Sequence, residues 1–185
     1  MIHLLPYTTM KALGVKWEPF RQRLTQNDVG MLDRCRIHFT LAANFKEYFE
    51  AGKKVVYAAP GEPKFRAYKA AFRALEAKYA VWPHEKLLHV QQALSQLDSL
   101  VSLRPEDVEI RFLRAMITER LPAFFNRKAQ AFSDIEYVVA QLPRLQEPEF
   151  EAFVLEYLAS EVQLPENLKR VVSELKAAYN SGSAL

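Results

Sequence analysis

Apolar residues recur at helical spacing along most of the chain, and prolines mark the interruptions. Spacings of three and four residues are typical of a helix with a buried face, and a proline inside a helix removes a backbone hydrogen bond. The pattern predicts helical regions over 18–52, 64–81, 84–103, 106–120, 123–142, 149–162 and 166–179. The first region is interrupted near Asn27 and Asp28, either of which can cap the helix that follows.

The first helical region is predicted to end at Gly52, because glycine commonly follows a helix. Leu32, Cys35 and Phe39 begin an apolar run that fits either one long helix or two short ones. The segment KKVVYAA has a β-like composition, but it is too short and isolated to build a sheet. We therefore expect helices throughout.

The order of these elements predicts an all-α fold. Short turns between helices of this length place consecutive helices antiparallel, so we expect a TPR-like array of antiparallel helical hairpins with about seven or eight helices. The prediction is a single helical domain over 16–180, preceded by an irregular N-terminal arm over 1–15 and followed by a frayed tail over 181–185.

The helix predicted over 106–120 has two apolar flanks when it is drawn at about 100° per residue. One flank consists of Val108, Phe112 and Ala115, and the other consists of Ile110, Leu113 and Ile117. The polar stripe between the flanks consists of Asp107, Arg111, Arg114 and Thr118. Glu109 and Arg120 lie on the opposite side of the helix from this stripe. Two apolar flanks predict packed neighbours on both sides of the helix. We expect Arg111 and Arg114 on an exposed surface, with Asp107 paired to Arg111.

The segment around Pro105 resembles the junction between two tetratricopeptide-type units. Ala93, Leu97 and Leu100 precede this proline at the spacing of the second helix of such a unit. However, the prolines at 105, 122 and 143 do not follow the strict period of about 34 residues that true repeats have. The hairpins are therefore expected to be degenerate.

A second resemblance is carried by the Tyr68-Lys69 pair, the EIRFLR block, the turn from Pro122 to Phe124, and Asp134. In these features the stretch 67–138 resembles a family of small bacterial all-helical proteins without an assigned function. Members often have FLGY where this chain has FFNR. The resemblance implies a helical fold and no particular activity, and many members begin with an export signal.

Composition excludes several classes of protein. Lys and Arg number 25 against 22 Asp and Glu, for a net charge of +3, and the two signs are interspersed. A nucleic-acid-binding protein usually concentrates its basic residues on one face, so no nucleic-acid partner is expected. No run reaches the roughly 18 apolar residues of a membrane span. The predicted location is cytoplasmic, or exported if a leader has been removed. The single cysteine, Cys35, is expected to be a small, partly buried residue and not a reactive thiol.

No metal, cofactor or catalytic motif is predicted. The segment HEKLLH places His84 and His89 five residues apart, about 140° around a helix, so they cannot share an ion as histidines four apart do. The chain has no nucleophile elbow, phosphate-binding loop or dinucleotide fingerprint. Lys69 and Lys78 lie on a helix rich in alanine and aromatic residues, where they can either extend past an apolar surface or bind an acidic partner.

The leading functional hypothesis is a non-enzymatic scaffold that binds an acidic peptide or protein. Lys69, Lys78, Arg111 and Arg114 would supply charge-assisted hydrogen bonds. Asp134 completes the candidate site, because it follows an apolar turn and can reach Arg111 or Arg114 as an ion pair across a hairpin. The alternative is an enzyme or small-ligand-binding protein with a pocket between hairpins, built from Glu109 or Asp134 with Arg111.

The last helix is expected to close the array as a lid. Its apolar face is Leu168, Val171, Val172 and Leu175, and an incomplete lid would let this face form a homodimer. Aromatic residues at helix ends are expected to fill the seams between hairpins. These residues are Trp17, Trp82, Phe124 and Phe125.

Overall fold

The chain forms eight α-helices, and no strand, over the part that the structure describes. The computed structural model describes Gln26 and residues 29–181. In chain order the helices are α1 (Met31–Asn44), α2 (Phe49–Ala58), α3 (Pro63–Tyr79), α4 (Pro83–Leu103), α5 (Val108–Glu119), α6 (Lys128–Gln141), α7 (Pro148–Glu161) and α8 (Glu166–Asn180). The predicted all-α class is thus confirmed. Some predictions concern residues that the structure does not describe, namely the arm over 1–15, Trp17 and the tail beyond Ser181.

Helix starts follow the signals expected from the sequence. Proline occupies the first turn of α3, α4 and α7, as Pro63, Pro83 and Pro148. The first turn has backbone N–H groups without helical partners, so proline loses no hydrogen bond there. At the start of α5, Asp107 Oδ1 accepts hydrogen bonds from the N–H groups of Glu109 and Ile110, both at 3.1 Å. Asp107 therefore caps its helix and does not make the predicted pair with Arg111.

Three boundaries differ from the prediction or sharpen it. Phe45 has extended backbone, so the apolar run after residue 31 becomes two helices, α1 and α2. Gly52 lies inside α2 and does not end a helix. Residues 123–125 form a short 3₁₀ turn that ends at Asn126, whose φ is 52°. Because this left-handed residue stops the helix, α6 begins at Lys128 and not at 123.

The core consists of two hydrophobic clusters that share α5. The first cluster draws on α1 to α5 and includes Phe39, Tyr68, Phe72, Leu97 and Leu100. The second cluster draws on α5 to α8 and includes Ile135, Phe150, Val154, Leu158 and Val172. Ile110, Leu113 and Ile117 of α5 are in the first cluster, whereas Phe112 and Ala115 are in the second. The prediction of two packed flanks on this helix is confirmed.

Consecutive helices pack on one another as hairpins, with α3 against α4, α5 against α6 and α7 against α8. Helix α3 also contacts α1 and α5, so it lies at the centre of the first cluster. A TPR-like repeat and a single domain over 16–180 stay predictions.

Helix α8 closes the second cluster. Leu168 and Val172 are buried there, and Val171 and Leu175 pack against it. This face is therefore used inside the molecule, and a homodimer through it stays a prediction.

The prediction that aromatic residues at helix ends fill the seams between hairpins is wrong for two of them, since Trp82 is 60% exposed and Phe124 is 78% exposed. Phe125 does pack against the first cluster.

Candidate functional site

The two arginines of the predicted stripe bind one buried carboxylate. Arg114 donates from Nε to Asp134 Oδ2 at 2.7 Å and from its terminal nitrogen to Oδ1 at 2.9 Å. Arg111 donates to Asp134 Oδ1 at 3.0 Å. Asp134 is completely buried and Arg114 is only 9% exposed. The predicted ion pair across the α5–α6 hairpin is confirmed, and the expectation that both arginines lie on an exposed surface is wrong for Arg114.

Further hydrogen bonds extend this group, which we term the Asp134 network. Asp98 on α4 accepts from Arg114 at 3.0 Å and from Arg127 at 2.9 Å. Arg111 donates from Nε to the carbonyl of Pro105 and lies over the ring of Tyr137. Burial opposes the charge of Arg114, but its hydrogen bonds to Asp134 raise the pKa of the guanidinium. The network therefore joins α4, α5 and α6.

Each of the two candidate lysines on α3 donates to a backbone carbonyl at a helix end. Lys69 Nζ lies 2.7 Å from the carbonyl oxygen of Ala59, and Lys78 Nζ lies 2.7 Å from that of Ala43. Carbonyls in the last turn of a helix lack helical partners. Both lysines therefore cap the end of a neighbouring helix, α2 for Lys69 and α1 for Lys78.

Glu109, on the face of α5 opposite the stripe, is buried in a second ionic group, the Glu109 cluster. Arg36 binds it from Nε at 2.7 Å and from a terminal nitrogen at 2.8 Å. Tyr68 Oη donates to it at 2.7 Å, and Lys64 Nζ lies 3.3 Å away. Burial alone would raise the pKa of Glu109, but Arg36 and Tyr68 hold it below its ordinary value. Arg36 also binds Glu147, just before α7.

Cys35 neighbours this cluster and is fully buried, more so than the partial burial predicted from the sequence. Burial, together with the charge of Glu109, raises the pKa of its thiol to about 11. Because the thiolate is the nucleophilic form of cysteine, this side chain is inert near neutral pH.

A cavity of about 340 Å³ lies between α1, α3 and α5 on one side and α7 and α8 on the other. Its walls are mainly apolar and include Phe39, Ala74, Met116, Ile117, Ala152 and Phe153. Phe39 packs with the first cluster and Phe153 with the second, while Met116 contacts both. The cavity thus occupies the seam between the two clusters. Glu109, Arg111 and Asp134, around which the sequence placed a pocket, do not line it.

One part of the cavity wall is charged. Arg120 Nε donates to Tyr157 Oη at 3.1 Å, and a terminal nitrogen of Arg120 lies 3.5 Å from Glu161 Oε2. Lys78 lines the same cavity. Burial lowers the pKa of the Lys78 ammonium, and the charge of Arg120 lowers it further. Burial raises the pKa of the Glu161 carboxyl, and Arg120 opposes that rise.

Of the predicted site residues, the cavity includes Lys78 and the Asp134 network gathers Arg111, Arg114 and Asp134. Lys69 belongs to neither. Sequence reasoning missed Arg120, Tyr157 and Glu161 as a group. The sequence did contain a signal that could have identified Arg120 as a candidate site residue. At helical spacing, Arg120 lies with Met116 on the face of α5 opposite the polar stripe.

The fold and the cavity define an all-α protein with a small internal site between two packed clusters. In comparisons with known proteins, the chain matches no family model, no curated protein and no solved structure. The resemblance to the family of small bacterial helical proteins therefore stays a prediction. Over residues 29–181, no helix is long and apolar enough to cross a membrane. The same residues contain no group of three or more potential metal ligands.

Proposed function

We propose that the protein binds a small, largely apolar molecule in the cavity between its two hydrophobic clusters. The observation that carries this proposal is the volume of about 340 Å³ with mainly apolar walls. Ligand sites typically enclose about 300–1,000 Å³ and combine apolar walls with a few polar groups. Lys78, Arg120 and Glu161 supply such polar groups here.

A small-ligand-binding protein was the alternative hypothesis from the sequence, with a pocket built from Glu109 or Asp134 and Arg111. The present proposal keeps that function and places the ligand in a cavity that other residues line. Binding of an acidic peptide by Lys69, Lys78, Arg111 and Arg114 stays a prediction with weaker support, because internal acceptors engage all four side chains. Arg114 is bidentate to the buried carboxylate of Asp134, so its charge is already paired and an acidic peptide would have to compete with Asp134. Lys78 alone among the four lines the cavity.

The test uses N-phenyl-1-naphthylamine, a neutral apolar dye whose fluorescence rises in an apolar site. Ala152 on α7 lines the cavity, and the variant Ala152→Phe would fill part of its volume. We expect saturable binding of the dye to the wild-type chain and at least about tenfold weaker binding to this variant, because a filled cavity loses contact area with the dye. The titration reports the dissociation constant directly.

The matched control is Ala159→Phe. Ala159 belongs to the same helix, is exposed and does not line the cavity. Circular dichroism would verify that both variants remain helical. Equal dye affinity in wild type, Ala152→Phe and Ala159→Phe would place the dye elsewhere and contradict the proposal, as would absence of saturable binding to the wild type.

A further inference from the structure

The charged part of the cavity has donors that the protein itself does not use. An ammonium group offers three N–H donors, and Lys78 gives one of them to the carbonyl of Ala43. Among the described residues, Lys78 has no carboxylate at salt-bridge distance, and the only neighbouring charge that affects its pKa is the like charge of Arg120. Lys78 is thus a half-buried cation that faces a second cation.

Carboxylates also line the cavity, and two of them are paired with cations other than Lys78. Arg120 has Glu161 within 3.5 Å. Glu156, the next carboxylate along α7, already binds Lys176 of α8 at 2.7 Å. Glu149 also lines the cavity, but it is twelve residues from Glu161, about 18 Å along the helix. Counted over the whole wall, three cations (Lys78, Arg120 and Lys176) accompany three carboxylates (Glu149, Glu156 and Glu161), so Lys78 is distinguished by having no carboxylate at salt-bridge distance among the described residues.

An uncompensated charge at an apolar wall is unfavourable unless an opposite charge accompanies it. From the unused donors of Lys78 and Arg120 and the apolar walls, we propose that the ligand is an apolar monocarboxylic acid whose carboxylate binds between Lys78 and Arg120. This inference rests on the proposed function and adds the chemical class of the ligand. A single negative charge would pair with the ammonium group of Lys78, and the hydrocarbon part would lie along Ala74, Met116 and Phe153.

The donor geometry suits a carboxylate. Arg120 uses Nε for Tyr157 and one terminal nitrogen for Glu161. A guanidinium has five N–H donors, so Arg120 has N–H groups available to a ligand oxygen while Tyr157 holds its orientation. Lys78 adds a charge-assisted hydrogen bond from α3. The carboxylate would thus bind between α3 and the C-terminal end of α5.

The experiment compares two ligands that differ in the head group, dodecanoate and dodecan-1-ol, as competitors of N-phenyl-1-naphthylamine at pH 7 and below micelle-forming concentrations. In the wild type we expect dodecanoate to displace the dye at about tenfold lower concentration than the alcohol, from one charge-assisted contact. The variant Lys78→Met keeps the length of the side chain and removes its charge. It is expected to lose this preference and to retain affinity for the dye and the alcohol. Lys78→Arg is expected to restore the preference.

The matched control is Lys69→Met. Lys69 lies on the same helix and also donates to a helix-end carbonyl at 2.7 Å, but it is not part of the cavity wall. This variant should keep the wild-type preference. Equal competition by dodecanoate and dodecan-1-ol in a wild type that binds the dye would overturn the carboxylate inference and leave the proposed function standing. Failure of the dye to bind would instead remove the proposed function itself.

Discussion

At the scale of single residues, Asp134 has the most demanding environment. Its carboxylate is fully buried and accepts three hydrogen bonds, two from Arg114 and one from Arg111. We expect Asp134→Asn to lower the free energy of unfolding by about 3 kcal/mol, because the mutation leaves Arg114 buried beside an uncharged amide. Urea denaturation monitored by circular dichroism would measure the loss.

The control for this prediction is Glu136→Gln on the same helix. Glu136 is exposed, and an exposed charge contributes at most about 1 kcal/mol. If Asp134→Asn were no more destabilising than Glu136→Gln, the Asp134 network would contribute little to stability. Arg111 and Arg114 would then be better regarded as cations held in place for a partner, which is the role predicted from the sequence.

At the scale of helices, Gly52 decides how closely α2 approaches its neighbours. A Cβ atom at this position would lie 2.9 Å from Cζ of Phe72 and 3.2 Å from Cβ of His38. Phe72 is fully buried and packs against the rings of Phe39 and Phe49, so it has little room to move. We expect Gly52→Ala to destabilise the protein by about 1–2 kcal/mol, as overpacking of a core does, despite the better helix propensity of alanine.

Gly61→Ala is the appropriate comparison. Gly61 lies in the turn between α2 and α3, and a Cβ there would meet nothing within 4 Å. Removing a glycine at such a position stabilises slightly or not at all, through the entropy of the unfolded chain. Thermal unfolding of both variants would separate the effects. A gain in stability for Gly52→Ala would show that α2 can move away from Phe72.

Helix boundaries were largely predictable, because their signals are local. Prolines placed the starts of α3, α4, α5 and α7 within about two residues. The errors occurred where a distant contact or an unusual backbone conformation decided the outcome. Gly52 was predicted to end a helix, but it lies inside α2, where the absence of a side chain lets the helix pack closely against Phe72. Asn126 takes a left-handed conformation that composition alone does not reveal.

At the scale of the whole molecule, the candidate site was much less predictable than the fold. Lys78 and Arg120 are far apart in the sequence and come together only because α3 and α5 pack on each other. The cavity exists because the seam between the two clusters is incompletely filled, and this depends on side chains from six helices. Periodicity indicates which face of a helix is buried, and it carries no information on how completely that face is covered.

The Glu109 cluster also acts at this scale, since Arg36 of α1 binds Glu109 of α5 and Glu147 near α7. The pKa of Glu109 in the folded state is held below 4.5 by Arg36 and Tyr68, which outweigh burial. A carboxyl with a lowered folded-state pKa contributes stability that is complete above the unfolded pKa and disappears as the pH falls through the folded-state pKa. The wild type should therefore lose this contribution progressively below about pH 4.5.

Glu109→Gln should remove that acid-dependent loss. We expect the variant to be less stable than the wild type at pH 7 by about 3 kcal/mol, because Arg36 and Tyr68 lose a charged acceptor. The difference should shrink as the pH falls below about 4.5, because the wild type then loses the stabilisation by the Glu109 carboxylate, which the variant lacks at every pH. Urea denaturation across pH 3–7 would measure both curves, with Glu106→Gln at an exposed position as the control. Parallel curves for wild type and Glu109→Gln would mean that Glu109 titrates as an ordinary carboxyl, and the ionic link between α1, α5 and the segment before α7 would not contribute to acid stability.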